Sequence, residues 1–226
     1  TRHSIRKAGM ANTNCLRMAK GLTLSAHMNL PTGEHSVNDL SVVRRRAVPP
    51  RLPHLSIAII GAGFGGIGLA IKLREAGIEN FLLLEKANEL GGVWRENTYP
   101  GCACDAPSAL YSYSFAPNPA WSRVFAGQAE IKRYLQDTAE RQGVLPYVRF
   151  QHEALKAYWS DAESCWIIET NQGEFRARFA IMACGPMHEP VLPKVKGLDS
   201  FEGEIFHSSR WRHDIDLRGK RVAVVG

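Results

Sequence analysis

Three glycines and one carboxylate carry the clearest chemical signal in the 226-residue chain. Gly61, Gly63 and Gly66 stand at GxGxxG spacing in Gly61-Ala62-Gly63-Phe64-Gly65-Gly66, and Glu85 follows Gly61 by 24 residues. Such spacing suits a dinucleotide. The first glycine permits a tight turn, the second lets backbone approach a pyrophosphate, and the third lets a helix pack closely on a strand. The N-terminus of that helix offers N–H groups and a positive dipole end to phosphate. An acid at the end of the following strand accepts hydrogen bonds from ribose hydroxyls and disfavours a 2′-phosphate, so the site suits FAD or NAD rather than NADP.

The elements that must position these residues are legible on either side. Residues 55–60 form a short apolar run of the kind buried in a parallel sheet. A helix follows, with Ile67, Ala70, Ile71 and Ala76 as inward positions and Gly77 as its terminator. A second strand, 81–84, delivers Glu85. Residues 129–142 repeat as an amphipathic helix with Ile131, Leu135 and Thr138 inward and Gly143 as the stop. Residues 148–150 read as a further parallel strand. The runs 154–159, 165–170 and 174–185 read as three strands separated by turns at 160–164 and 171–173. The expected fold is α/β: a three-layer Rossmann-like FAD/NAD(P)-binding fold, a parallel sheet with a small β-meander.

Composition narrows the function. Residues 1–54 hold nine of the 28 Lys/Arg and two of the 22 Asp/Glu, whereas 55–226 hold 19 basic and 20 acidic groups. The net charge of +6 therefore belongs to the leader, and the charge balance of the body gives no support to a nucleic-acid-binding reading. The leader, residues 1–54, reads as a disordered basic segment ending in prolines 49, 50 and 53, with a transit peptide or an acid-binding tail as the other readings. No apolar run reaches the roughly 18 residues of a transmembrane span. The five cysteines lack a secreted disulfide pattern or a paired CxxC, which fits reduced thiols in a cytoplasmic compartment. The eight histidines show no metal-site spacing, and no nucleophile elbow or zinc helix occurs.

Further residues carry a resemblance. The run Glu89-Leu90-Gly91-Gly92-Val93-Trp94, then Tyr99-Pro100-Gly101 and Asp105-Ala106-Pro107-Ser108, resembles the flavin-containing monooxygenases, and more particularly the Baeyer–Villiger branch. The resemblance implies that this segment wraps FAD. It places Lys86, Gly92, Val93, Trp94 and Tyr111 with Phe64 at the cofactor, Ala154 near its adenine, and Gly185 at a second turn returning to it. Asp105 would lie beside the flavin ring and hold a catalytic arginine that the family carries beyond this stretch. On the residues alone, Trp94 also suits a core, Asp105 a turn cap and Gly185 a simple turn. Cys102 and Cys104, a CxC, leave a redox disulfide and a disulfide reductase as an alternative. Where the family has an arginine, this chain has Ala103.

Phe201, Gly203, His207 and Trp211 match the FxGxxxHxxxW signature of Baeyer–Villiger monooxygenases. In that reading His207 ties a linker between domains and does not act as a base on substrate. Arg212 replaces the family's usual Pro or Asp, a departure shared with N- and S-oxygenating relatives. The activity implied uses NADPH and O2 to oxidise a ketone or other lipophilic small molecule through a C4a-peroxyflavin, giving an ester or lactone. The alternatives are heteroatom oxygenation and a non-catalytic dinucleotide-binding module. Residues 221–226 repeat the strand-then-glycine pattern of 56–61, so Gly226 reads as the first glycine of a second, NADPH-binding motif. The expected organisation is an FAD-binding domain over 55–213, followed at 214–226 by the first strand of an NADPH domain that is cut short. By itself such a stretch is expected to lack oxygenase activity. Oligomeric state has no signature in the sequence.

Overall fold

The computed structural model describes residues 55–187 and 189–226; the basic-leader reading lies outside the described residues. Strand β1 (Leu55–Ile60) leads into helix α1 (Phe64–Glu75), then β2 (Phe81–Leu84), a one-turn helix α2 (Val93–Glu96), and α3 (Gln128–Arg141). Four strands come next: β3 (Val148–Arg149), β4 (Ala154–Ser160), β5 (Cys165–Thr170) and β6 (Gly173–Met182). They form one six-stranded sheet in the order β3-β2-β1-β6-β5-β4. β1 pairs in parallel with β2 and β6, and β2 with β3; β4, β5 and β6 form an antiparallel meander.

Alternation along β1 assigns its two faces. Ile57 and Ile59 pack with Ile67, Ala70 and Ile71 of α1 and with Ile131 and Leu135 of α3. Ala58 and Ile60 point to the opposite face, where Leu84 meets Ile168 and Ala177 of the meander, flanked by Ala154 and Ala157. Helices, parallel strands and meander thus make three layers. Strand β6 joins the two sheet types: Ala177 lies opposite Leu55 on one side and Trp166 on the other.

The helix faces follow the expected periodicity, with Ile131, Leu135 and Thr138 buried on α3. Ala76, expected inward, is exposed. It is the C-cap of α1, and Gly77 at φ 74° turns the chain away before that position can face the sheet. Residues 221–226, expected to open a separate sheet, have no strand partner among the described residues, and Val222, Val224 and Val225 are exposed. An apolar sequence becomes a strand only beside a partner that accepts its ladder bonds, and no described strand lies alongside it.

Candidate functional site

The parallel strands end together at a cleft. The Gly61 N–H donates to the Leu84 carbonyl at 2.8 Å, and the Ala183 N–H donates to the Ile60 carbonyl at 2.8 Å. The chain leaves β1 towards β2 through α1, while β6 arrives on the opposite side. This divergence of connections opens a crevice at the carboxyl ends of the strands, where α/β sheets bind ligands. Its volume is ≈ 410 Å³.

Glycine geometry shapes the floor. Gly61 has φ 107°, and a Cβ there would stand 2.7 Å from the Ala183 carbonyl oxygen. A Cβ on Gly66 would fall 2.0 Å from the Gly61 oxygen. Gly63 differs: the nearest atom to its absent Cβ is the Gly92 Cα at 3.5 Å, an ordinary contact. The polypeptide itself tolerates a side chain at Gly63, so a glycine there is suited to a ligand lying against the backbone. Gly63 is also the N-cap of α1, with no side-chain cap and no acid in the first turn. The helix end therefore presents N–H groups to the cleft.

Glu85 is 3% exposed and lines the cleft. Its Oε2 accepts from the Ala62 N–H at 3.0 Å; its Oε1 accepts from the Ala87 N–H at 3.0 Å and from Arg95 Nη1 at 2.8 Å. The carboxylate is thereby fixed beside the glycine loop. Arg95 also donates from Nη1 to the Glu89 carbonyl at 2.9 Å and from Nη2 to Glu96 Oε1 at 2.6 Å. Burial opposes the Arg95 charge, but hydrogen bonding and attraction from Glu96 and Glu85 outweigh it and raise its pKa. Burial likewise opposes the Glu96 charge, yet Arg95, Arg210 and Lys86 hold its carboxyl below the ordinary range.

The segment after Glu85 forms the far wall. Gly91 and Gly92 both have positive φ, and a Cβ on Gly92 would press on the Gly63 Cα at 3.1 Å. Trp94 is 8% exposed, and its Nε1 donates to the Tyr111 hydroxyl at 3.1 Å. Trp94 belongs to the core and also borders the cleft. Phe64 packs edge-on against Tyr111 at 4.8 Å and tilts against Tyr113 at 5.1 Å, while the Tyr113 hydroxyl donates to the Phe64 carbonyl at 2.7 Å. Burial pushes both tyrosine pKa values up, so both hydroxyls stay neutral.

Eleven of the expected cofactor residues converge here: Gly61, Gly63, Phe64, Glu85, Lys86, Gly92, Val93, Trp94, Tyr111, Ala154 and Gly185 all line the cleft. Gly66 lies behind it, in the turn. Asp105 does not line it; this residue is exposed on the following loop, near Tyr111. Sequence reasoning missed Arg95, whose signal was a lone cation in a segment facing a buried acid. It also missed Met182, Cys184 and Met187, which border the cleft after β6. Cys102, Cys104, Cys165 and Cys184 are free thiols, and no group of three or more metal-ligating side chains occurs among the described residues. No described helix is long and apolar enough to cross a membrane.

The signature residues sit outside the cleft and organise their own turn. The Phe201 ring occupies the place of a Cβ on Gly203, which would stand 2.5 Å from its Cε1. His207 Nδ1 accepts from the Ser209 N–H at 3.1 Å and caps the short helical turn Ser208–Arg210. Trp211 packs edge-on against Phe206 at 5.2 Å and lies 6.3 Å from Tyr99.

A cleft at the strand ends, with a glycine turn, an uncapped helix and a buried acid, defines a dinucleotide-binding protein of the Rossmann class. Residues 58–226 match the pyridine nucleotide-disulphide oxidoreductase family, and the chain belongs to it. It is 50% identical over 173 residues to a Baeyer–Villiger monooxygenase of Streptomyces coelicolor, covering 76% of this chain and 33% of that protein. It is 41% identical over 200 residues to a Baeyer–Villiger monooxygenase of Pseudomonas aeruginosa, covering 88% and 38%. Among solved structures, OTEMO in complex with FAD and NADP superposes with a TM-score of 0.65 at 36% identity, covering 72% of this chain and 31% of that one. The closed form of cyclohexanone monooxygenase gives 0.66 at 32% identity, covering 75% and 33%. The chain thus spans about a third of the length of the relatives it matches.

Proposed function

We propose that the cleft binds FAD, and that in the whole protein this chain is the FAD-binding part of an NADPH- and O2-dependent monooxygenase that converts ketones to esters or lactones. The observation that carries the reading is the pairing of a buried Glu85 with an uncapped α1 N-terminus across one crevice. The first suits the two adenosine ribose hydroxyls, the second a pyrophosphate. Room for a Cβ on Gly63, where the fold itself does not demand glycine, supports a phosphate lying against that backbone.

When bound, FAD supplies hydride acceptance and oxygen activation. The residues of this chain bind and orient it. Glu85, pinned by Ala62, Ala87 and Arg95, offers its remaining lone pairs to the ribose. Trp94, held by the Tyr111 hydroxyl, forms part of the apolar wall against which the cofactor would lie. Ala154 leaves space for a flat base beside β4. The signature residues at 201–211 link this domain to the rest of the whole protein, as the resemblance implies, and Asp105 is assigned to hold an arginine from outside this stretch. The free thiols suit a reducing, cytoplasmic setting.

The test is a titration with FAD of the whole protein to which this chain belongs, followed by assays with NADPH, O2 and a ketone. Flavin bound in one equivalent and conversion of the ketone to an ester or lactone are expected. Absence of FAD binding refutes the cofactor assignment. Oxygenation confined to amines or sulfides favours the second reading, for which Arg212 after Trp211 is the specific sequence feature.

A further inference from the structure

The Glu85–Arg95 pair continues outward into the 201–213 segment. Arg95 Nη2 donates to Glu96 Oε1 at 2.6 Å, and Glu96 Oε2 accepts from Arg210 Nη1 at 2.7 Å. Four charges of alternating sign thus run from the dinucleotide cleft to the turn capped by His207. Their side chains are 4%, 10%, 17% and 47% exposed, so the chain passes from the interior to the surface. Two further ties join the same segments: Thr98 Oγ1 lies 2.9 Å from His213 Nε2, and Tyr99 meets Trp211. Yet no residue from 190 onwards lines the cleft.

We propose that Arg210 is a positioning residue for the ribose-recognition carboxylate, acting through Glu96 and Arg95, so that seating of the 207–213 turn and dinucleotide binding reinforce each other. The inference rests on the reading of the cleft as an FAD site. Each oxygen of Glu96 serves one arginine. With Arg210 in place, the network holds two acids and two bases. Without it, Arg95 alone must satisfy both Glu85 and Glu96 in a mostly buried setting, where an uncompensated charge is costly. Glu96, no longer shared, competes for the Arg95 guanidinium, and Glu85 keeps only the Ala87 N–H on its Oε1, losing the charged one of its two donors there. A carboxylate less fixed binds ribose less well, because part of the binding energy then goes to ordering it. By linkage, whatever the turn does for the nucleotide, the nucleotide does for the turn. Lys86 is the remaining cation felt by Glu96; its Nζ lies 3.8 Å from Glu189 Oε1 at the cleft margin.

The test uses apoprotein titrated with FAD and, separately, with ADP, which carries the ribose but no flavin. Arg210→Gln is expected to weaken both by about fivefold, the lower end of typical coupling. Arg210→Lys restores most of the loss. In a Glu96→Gln background, Arg210→Gln has no further effect. Amide hydrogen exchange at 208–213 slows on FAD binding in the parent protein and does not in Glu96→Gln. The melting temperature of each apoprotein separates this from general unfolding, since Arg210 is a surface side chain. Equal FAD affinity in the parent and Arg210→Gln, an equal loss in both backgrounds, or exchange at 208–213 indifferent to FAD overturns the inference while leaving the cofactor assignment intact. Failure of the parent protein to bind FAD or ADP overturns both.

Discussion

Gly66 sits so close to Gly61 that a Cβ on the former would lie 2.0 Å from the carbonyl oxygen of the latter. No rotamer relieves such a clash, because both partners are backbone. Gly66→Ala is therefore expected to break the turn between β1 and α1, lowering stability and abolishing FAD uptake together. Gly63→Ala is expected to part the two effects. Its Cβ has room in the protein, so stability stays within about 1 kcal/mol, while FAD affinity falls at least about tenfold. Thermal melts and FAD titrations of the two variants decide; equal FAD affinity for Gly63→Ala and the parent refutes the pyrophosphate placement.

Replacing Glu85 tests the acid. Glu85→Gln keeps the shape but removes the charge that Arg95 faces at 2.8 Å. A loss of about 2–3 kcal/mol is expected from the weakened charged hydrogen bonds, with a loss of FAD affinity. Denaturant unfolding of the apoprotein checks the first part. An unchanged midpoint contradicts the buried pairing.

Acid should act through Glu96. Its folded-state pKa lies below its ordinary 4.5, so its contribution is complete above that value and is lost as pH falls through the lower folded value. Between about pH 5 and about pH 3, the parent protein is expected to lose more melting temperature than Glu96→Gln, which has no carboxyl to protonate. Parallel curves rule out a stabilising Glu96 carboxylate.

Core packing gives a control distant from the cleft. Leu135 is fully buried under the sheet on α3 and does not line the cleft. Leu135→Ala is expected to cost about 2–5 kcal/mol through lost burial and a cavity, with FAD affinity unchanged while the protein stays folded. Calorimetry and titration on the same sample measure both.

The glycine spacing and the two strands around it were readable because they are local. A turn that needs φ 107° at Gly61, a helix that must approach at Gly66 and an apolar run of six residues each announce themselves within a few positions. The meander was readable for the same reason, from alternation and turn residues, and so were the buried faces of α1 and α3 except at Ala76, where a cap ended the period. The family signature was legible as a pattern, but its placement was not.

Long-range electrostatics and exposure were beyond local reading. Arg95 and Glu85 are ten residues apart and Glu96 and Arg210 are 114 apart, and only chain folding brings four charges into one file. The same holds for Asp105, whose exposure depends on how the loop after Cys104 lies, and for residues 221–226, whose apolar sequence has no neighbouring strand among the described residues to complete it. The sequence by itself determined the turn, the strand–helix–strand order and the chemistry of a dinucleotide cleft, because backbone sterics and hydrophobic period act over a few residues. The tertiary structure alone decided which side chains share that cleft and which charge balances which, because burial and Coulomb attraction depend on distance in space rather than along the chain.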